Sequence, residues 1–206
     1  MTERPFDPLS DTRRGGTEYD ALHAAHRLLN DRLAGAAMPA DVERDVAARL
    51  DELNELLRSH QAPREHDRVD GMRPDLPGRG HPLLPPFVID GETIGEHGTG
   101  TLRGRVTFGR FYLGGGAAVH GGVHPLLFDD VLGRVANQGK PFVARTASLK
   151  VDYHRVTLLD VELFWDVTLE RTDGRKRFTT GRLTDADGNL LVEAQALFVE
   201  LLPGMP

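Results

Sequence analysis

The stretch most able to do chemistry is Val119-His120-Gly121-Gly122-Val123-His124-Pro125-Leu126-Leu127-Phe128-Asp129. Its two adjacent glycines open a helical pattern and, lacking Cβ atoms, let a ligand approach the backbone closely. The first turn of a helix carries N–H groups without intrahelical partners, at the positive end of the macrodipole. Such an end suits an oxyanion developing on an attacked carbonyl. Asp129, further along the same helix, is a side chain of the type that activates water or attacks a carbonyl itself. An acid on a largely apolar helix is costly unless paired or functional, so the chemical reading of Asp129 is preferred to a solvated one. Asp130 points roughly 100° away and reads as a surface or capping acid.

These residues need elements to hold them. From Gly121 to Asn137, Val123, Leu126, Leu127, Val131, Leu132 and Val135 cover most of the helix circumference, the mark of a buried helix. Strand-like alternation flanks it. Leu102, Val106 and Phe108 oppose Arg103, Arg105 and Thr107. Ala147, Leu149, Val151 and Tyr153 oppose Ser148, Lys150, Asp152 and His154. Val161, Leu163, Trp165, Val167 and Leu169 oppose Glu162, Asp166, Thr168 and Glu170. Thr172-Asp173-Gly174 and Asp187-Gly188-Asn189 are turn signals that make hairpins of the last three strands. The last, about Leu190 to Leu202, alternates less cleanly. One central helix wrapped by a curved antiparallel sheet is the natural packing, an α+β class.

Upstream, residues 1–16 read as a mobile tail and 17–60 as a helical arm. The first arm helix starts at Thr17, with Leu22, Ala25, Leu28, Leu29 and Leu33 at helical spacing, and breaks at Gly35 and Pro39. The second runs from about Ala40 to Ser59 with Val42, Val46, Leu50, Leu53 and Leu57 on one stripe. These stripes are too narrow to fold alone, so they are expected to dock, as a hairpin or a bent arm. Residues 61–84, rich in Pro, Arg, Asp, His and Gly, read as a linker to a domain at 85–206.

The glycine-rich segment, its spaced aspartate and the later strand Thr146–Arg155 resemble the HGG-x(6)-D signature of PaaI-like hotdog-fold acyl-CoA thioesterases. The likeness covers roughly Pro85 to Pro203, and the leading helices are similar to those of a subgroup with a helical arm before the hotdog domain. The resemblance implies hydrolysis of an acyl-CoA to a carboxylic acid and CoA. It implies the Gly121 N–H as oxyanion donor, Asp129 as the base or nucleophile, Thr146 as the hydroxyl that positions it, and His120 as an orienting group. No cofactor is implied, since CoA belongs to the substrate. Gly114 stands where many relatives carry Asn, which puts one contact to the carbonyl or water in doubt, and Val156 stands where Pro is common.

Given those roles, geometry adds a subunit. Gly121 and Asp129 are separated by about 12 Å along one helix axis, and both must approach one reacting carbonyl. One helix cannot do this, whereas two helices across a symmetric interface can. A homodimer or dimer of dimers is therefore expected.

Other groups stay open between bland and chemical readings. Thr146 is also simply a good strand residue, and His120 also simply a holder of the helix start. His120 and His124 have i, i+4 spacing, but no third metal ligand is suggested nearby. His23 and His26 read as a solvated face. Gly114-Gly115-Gly116 lacks the Lys-Ser/Thr of a phosphate loop and suits a loop over the pantetheine. Arg175, Lys176 and Arg177 could meet CoA phosphates, as could Gly122 the substrate, or the basic residues could guard a strand edge. The chain has 206 residues, no cysteine and a net charge of −6. That excludes disulfides and thiolate chemistry and argues against a nucleic-acid partner. No membrane span is expected, and a polar N-terminus without a signal segment points to the cytoplasm. The alternative function is a non-catalytic acyl-CoA or lipid-binding hotdog module. A partner-docking role for the arm and a hotdog dehydratase are weaker options.

Overall fold

A computed structural model describes residues 15–64, 67–71, 73–94, 99–140 and 142–202. Apart from Gly15 and Gly16, the tail read at residues 1–16 lies outside the described residues. The arm consists of α1 (Thr17–Ala34) and α2 (Ala40–Arg58). Strands β1 (Val88–Ile94) and β2 (Gly100–Thr107) follow, then a small ribbon of β3 (Leu113–Gly115) and β4 (Ala118–Val119). Helix α3 (Val123–Asn137) comes next, and then β5 (Ala144–Tyr153), β6 (Glu162–Asp173), β7 (Lys176–Thr184) and β8 (Leu190–Glu200).

The main sheet has six antiparallel strands in the order β1-β2-β6-β7-β8-β5. Helix α3 lies on it, with Leu127, Phe128, Val131, Leu132, Val135 and Ala136 all buried. The inner rows of β2 and β6 meet it with Leu102, Val106, Leu163, Trp165, Val167 and Leu169. Each such large side chain contributes about 1.5–3 kcal/mol of burial. This is the hotdog arrangement expected from the buried helix and the alternating strands. Helix and sheet approach closely at one point. A Cβ on Gly181 of β7 would lie 2.9 Å from Phe128 and 2.9 Å from Val167, so glycine opens a hole for the Phe128 ring.

Several details differ from the sequence pattern. Val161 precedes β6 and is exposed, because the strand begins only at Glu162. The alternation of β5 is broken at Ala147, where a bulge separates the Thr146–Phe198 and Ser148–Leu197 pairs. The segment read as a linker is packed in its second half. Arg73 is fully buried and ion-paired with Asp20 and Asp75, and Leu84 and Phe87 join the core. Pairing each charge with a carboxylate makes that burial tolerable.

The arm corrects an expectation more sharply. It is the polar residues of α1 that face the hotdog: Tyr19, His23, Arg27 and Asp31, spaced four apart and therefore on one side. The apolar stripe points elsewhere, with Leu22 58% and Leu28 49% exposed. Helix α2 buries none of its residues, and Leu53 and Leu57 are each 50% exposed. The leucine stripes are thus only partly covered in the single chain, with Leu29, Leu33, Val46 and Leu50 half-buried and the rest exposed.

Candidate active site

Helix α3 starts after a tight turn. The His120 N–H donates to the Tyr112 carbonyl at 2.8 Å, and the Val123 N–H donates to the His120 carbonyl at 2.9 Å. The imidazole Nδ1 of His120 accepts from the Gly122 N–H at 3.1 Å. His120 therefore braces the turn that leads into the helix, and the Gly122 N–H is occupied within the chain. The Gly121 N–H has no acceptor among the described residues. Because the peptide unit is planar, a held His120 carbonyl fixes the direction of the Gly121 N–H opposite to it.

The carbonyl of Gly121 is held as well. The Tyr153 hydroxyl donates to it at 2.7 Å, and His124 Nδ1 lies 3.4 Å away. The other His124 nitrogen is 2.9 Å from Thr157 Oγ1. Burial lowers the His124 pKa, which keeps the ring neutral in its apolar seat beside Phe108 and Tyr153. Tyr153 and Thr157 were not singled out from sequence. In the sequence Tyr153 is only one of the alternating positions of its strand; it is 54% exposed, with its hydroxyl on the glycine turn. A Cβ on Gly121 would meet nothing nearer than that hydroxyl at 3.8 Å, so the chain itself does not demand glycine there.

Asp129 lies on the exposed side of α3, and one of its oxygens accepts a hydrogen bond from Thr146 Oγ1 at 2.8 Å. Thr146 sits just before the bulge of β5, the strand at the sheet edge, which brings its hydroxyl to the helix. Asp129 and Thr146 are therefore together, as are His120, Gly121 and Gly122. The two groups lie at different levels of α3.

Asp130 is not a surface acid. It pairs with Arg79 at 2.7 Å and lies close to Arg134, and burial raises its pKa while the two guanidiniums oppose that rise. One Asp130 oxygen and two Arg134 nitrogens are buried without hydrogen bonds among the described residues. The basic cluster also divides. Arg177 is buried and donates to the Ala136 and Phe142 carbonyls, Asn137 and Glu200, so it is a core tie and not a ligand contact. Arg175 and Lys176 stay exposed, Arg175 reaching the Glu200 carbonyl at 3.0 Å. His23 is buried too, not on a solvated face. Among the described residues no group of three or more His, Asp or Glu side chains is placed to hold a metal. Nor is any helix long and apolar enough to cross a membrane. Gly114 is where the resemblance would have Asn. A Cβ there would come 2.8 Å from the His120 Cα, so a side chain at 114 needs a different turn.

No family profile matches the chain, and no curated protein matches it. Solved structures do. A Streptococcus mutans protein solved with acetyl CoA matches with a TM-score of 0.51 and 16% identity, over 56% of this chain and 88% of that one. At this identity the likeness concerns the fold alone. A crystal structure described as a thioesterase superfamily protein matches with a TM-score of 0.71 and 34% identity, over 90% of this chain and 96% of the other. A relationship of that strength, extending through the arm as well as the sheet, makes this chain a member of the hotdog-fold thioesterase superfamily.

Proposed function

We propose that the protein is an acyl-CoA thioesterase whose active site is completed by a second copy of the chain. The observation that carries this reading is the pairing of an exposed Asp129 carboxylate with Thr146, on the same helix as a Gly121 N–H that lacks an acceptor among the described residues. In the proposed reaction the thioester carbonyl oxygen accepts from the Gly121 N–H of one chain. Asp129 of the other chain either takes a proton from the attacking water or attacks the carbonyl itself. The C–S bond breaks, the CoA thiolate takes up the proton, and water supplies the hydroxyl of the carboxylic acid. A carboxylate and an N–H donor meet the needs of this chemistry, so the reading calls for no cofactor. CoA recognition is assigned to Arg175 and Lys176 and to Gly122, whose N–H is already taken by His120, so that it would serve by lacking a Cβ. The assembly is a cytoplasmic homodimer or dimer of dimers.

A second reading, a non-catalytic acyl-CoA or lipid-binding module, is favoured by one observation. Gly114 offers no side chain to the carbonyl or water, and the turn leaves no room for one. A thiol-release assay with a panel of acyl-CoAs, run beside Asp129→Ala, separates the two. CoA release that vanishes in the variant supports the thioesterase. Acyl-CoA binding with no release from any substrate supports the binding module.

A further inference from the structure

The Gly121 turn is tied to the arm by a short chain of contacts. Asp31 of α1 accepts the Phe111 N–H at 2.9 Å. A Cβ on Gly109 would lie 2.6 Å from both Asp31 oxygens, so glycine there makes room for the carboxylate. One turn earlier on α1, Arg27 donates to the Tyr112 hydroxyl at 3.3 Å, and that hydroxyl donates to the Leu84 carbonyl at 3.1 Å. Arg27 also reaches the carbonyls of Pro77, His81 and Leu84, which anchors it independently of Tyr112. The held segment, the 3-10 turn Arg110–Tyr112, is the main contact of α1 with another element. Its last carbonyl, that of Tyr112, accepts the His120 N–H at 2.8 Å. His120 is followed directly by the peptide whose N–H belongs to Gly121.

We propose that α1 is a positioning element for the helix-start turn, with Asp31 and Arg27 as positioning residues that act through Tyr112 on His120 and so on the direction of the Gly121 N–H. Neither residue touches substrate. The alternative role for the arm, a plain cover for the hotdog, fits the contacts poorly. The face that α1 turns inward is polar, and it ties both this turn, through Asp31 and Arg27, and the segment 73–84, through Tyr19, Asp20 and Arg27. A cleft of about 270 Å³ remains beside Arg27, Asp31, Phe111 and Tyr112, so hydrogen bonds rather than tight packing join the two elements there. The catalytic consequence rests on Gly121 being the oxyanion donor. The structural coupling does not.

The test uses the full chain and two kinds of readout. Asp31→Ala removes the acceptor for Phe111, while Asp31→Asn keeps an oxygen in place. Tyr112→Phe cuts the ties to Arg27 and to the Leu84 carbonyl but leaves the backbone acceptor of His120. Amide hydrogen exchange of His120, whose N–H is held by the Tyr112 carbonyl, is expected to quicken at least roughly tenfold in Asp31→Ala and in Tyr112→Phe, and to return close to wild type in Asp31→Asn. With an acyl-CoA that the wild type hydrolyses, kcat is expected to fall by about tenfold in the first two variants with little change in KM. Faster exchange confined to residues 17–34 and 109–112, with His120 unchanged, would overturn the proposal. If the wild type hydrolyses no acyl-CoA, the thioesterase reading fails, and the exchange data still decide whether α1 holds the turn.

Discussion

The Thr146 hydroxyl donates a 2.8 Å hydrogen bond to the Asp129 carboxylate, joining the edge strand β5 to the exposed side of α3. A hydrogen bond to a charged group is worth about 1.5–3 kcal/mol. If Asp129 acts as proposed, Thr146→Val lowers kcat by about ten- to a hundredfold, and Thr146→Ser restores most of it. Steady-state kinetics of the two variants check this, and a Thr146→Val enzyme with wild-type kcat would remove Thr146 from the mechanism.

The separation of Gly121 from Asp129 makes a subunit-mixing experiment decisive. Gly121→Pro removes the N–H donor, and Asp129→Ala removes the carboxylate. Each variant alone is expected to be inactive. In a mixed dimer, the intact Gly121 of one chain meets the intact Asp129 of the other at one of the two sites. Random mixing in equal amounts should then recover about a quarter of wild-type activity. No recovery, with mixed dimers shown to form, would mean that each site is built within one chain.

Tyr153 holds the far side of the same turn. Burial raises its pKa, so the hydroxyl stays a protonated donor to the Gly121 carbonyl through the neutral range. Tyr153→Phe is expected to cost about 1 kcal/mol of stability or less while lowering kcat several-fold. Urea unfolding and kinetics on the same sample separate the two effects.

His23 supplies a pH signature. Burial first, and the neighbouring Arg27 second, lower its pKa to about 4, and its neutral Nε2 accepts from Arg27 at 3.0 Å. Between an unfolded value near 6.5 and the folded one, the unfolded chain binds more protons. Stability therefore rises with pH across that window and is lost as the pH falls from about 6.5 toward 4. Stability curves at several pH values should show this slope, and His23→Gln should flatten it.

Arg177 is expected to matter for folding and not for CoA. Its guanidinium joins the end of α3 to Glu200 of β8 from a site only 2% exposed. Arg177→Ala leaves Glu200 without its cation and should cost about 3–5 kcal/mol. Arg175→Ala and Lys176→Ala, both on exposed residues, should leave stability nearly unchanged and raise KM for acyl-CoA if they meet its phosphates. Chemical denaturation and KM measurements distinguish the three.

The central helix and the strands were legible because their burial has a period: the near-continuous apolar surface of α3, the alternation in β2 and β6. The pairing of Asp129 with Thr146 was legible only through resemblance, since two residues on different elements carry no local signal of contact. The arm shows where periodicity misleads. A leucine stripe marks a face that needs cover, but not what covers it. Tyr19, His23, Arg27 and Asp31 also recur every four residues, and that polar row is the one that docks. The Arg79–Asp130 pair was invisible for a related reason, because a charged residue reads as solvated until its partner, 51 positions away, is known.

The hole at Gly181 has a consequence for the exposed side of the helix. Phe128 drops into it, and Asp129 is the next residue. The ring works as an index pin: it fixes both the axial setting and the rotation of α3 against the sheet, and so fixes where the adjacent carboxylate is presented. Calibration of the carboxylate is thus delegated to a strand that never approaches it, and a methyl group added at position 181 would detune the site from behind, leaving every residue around Asp129 chemically unchanged.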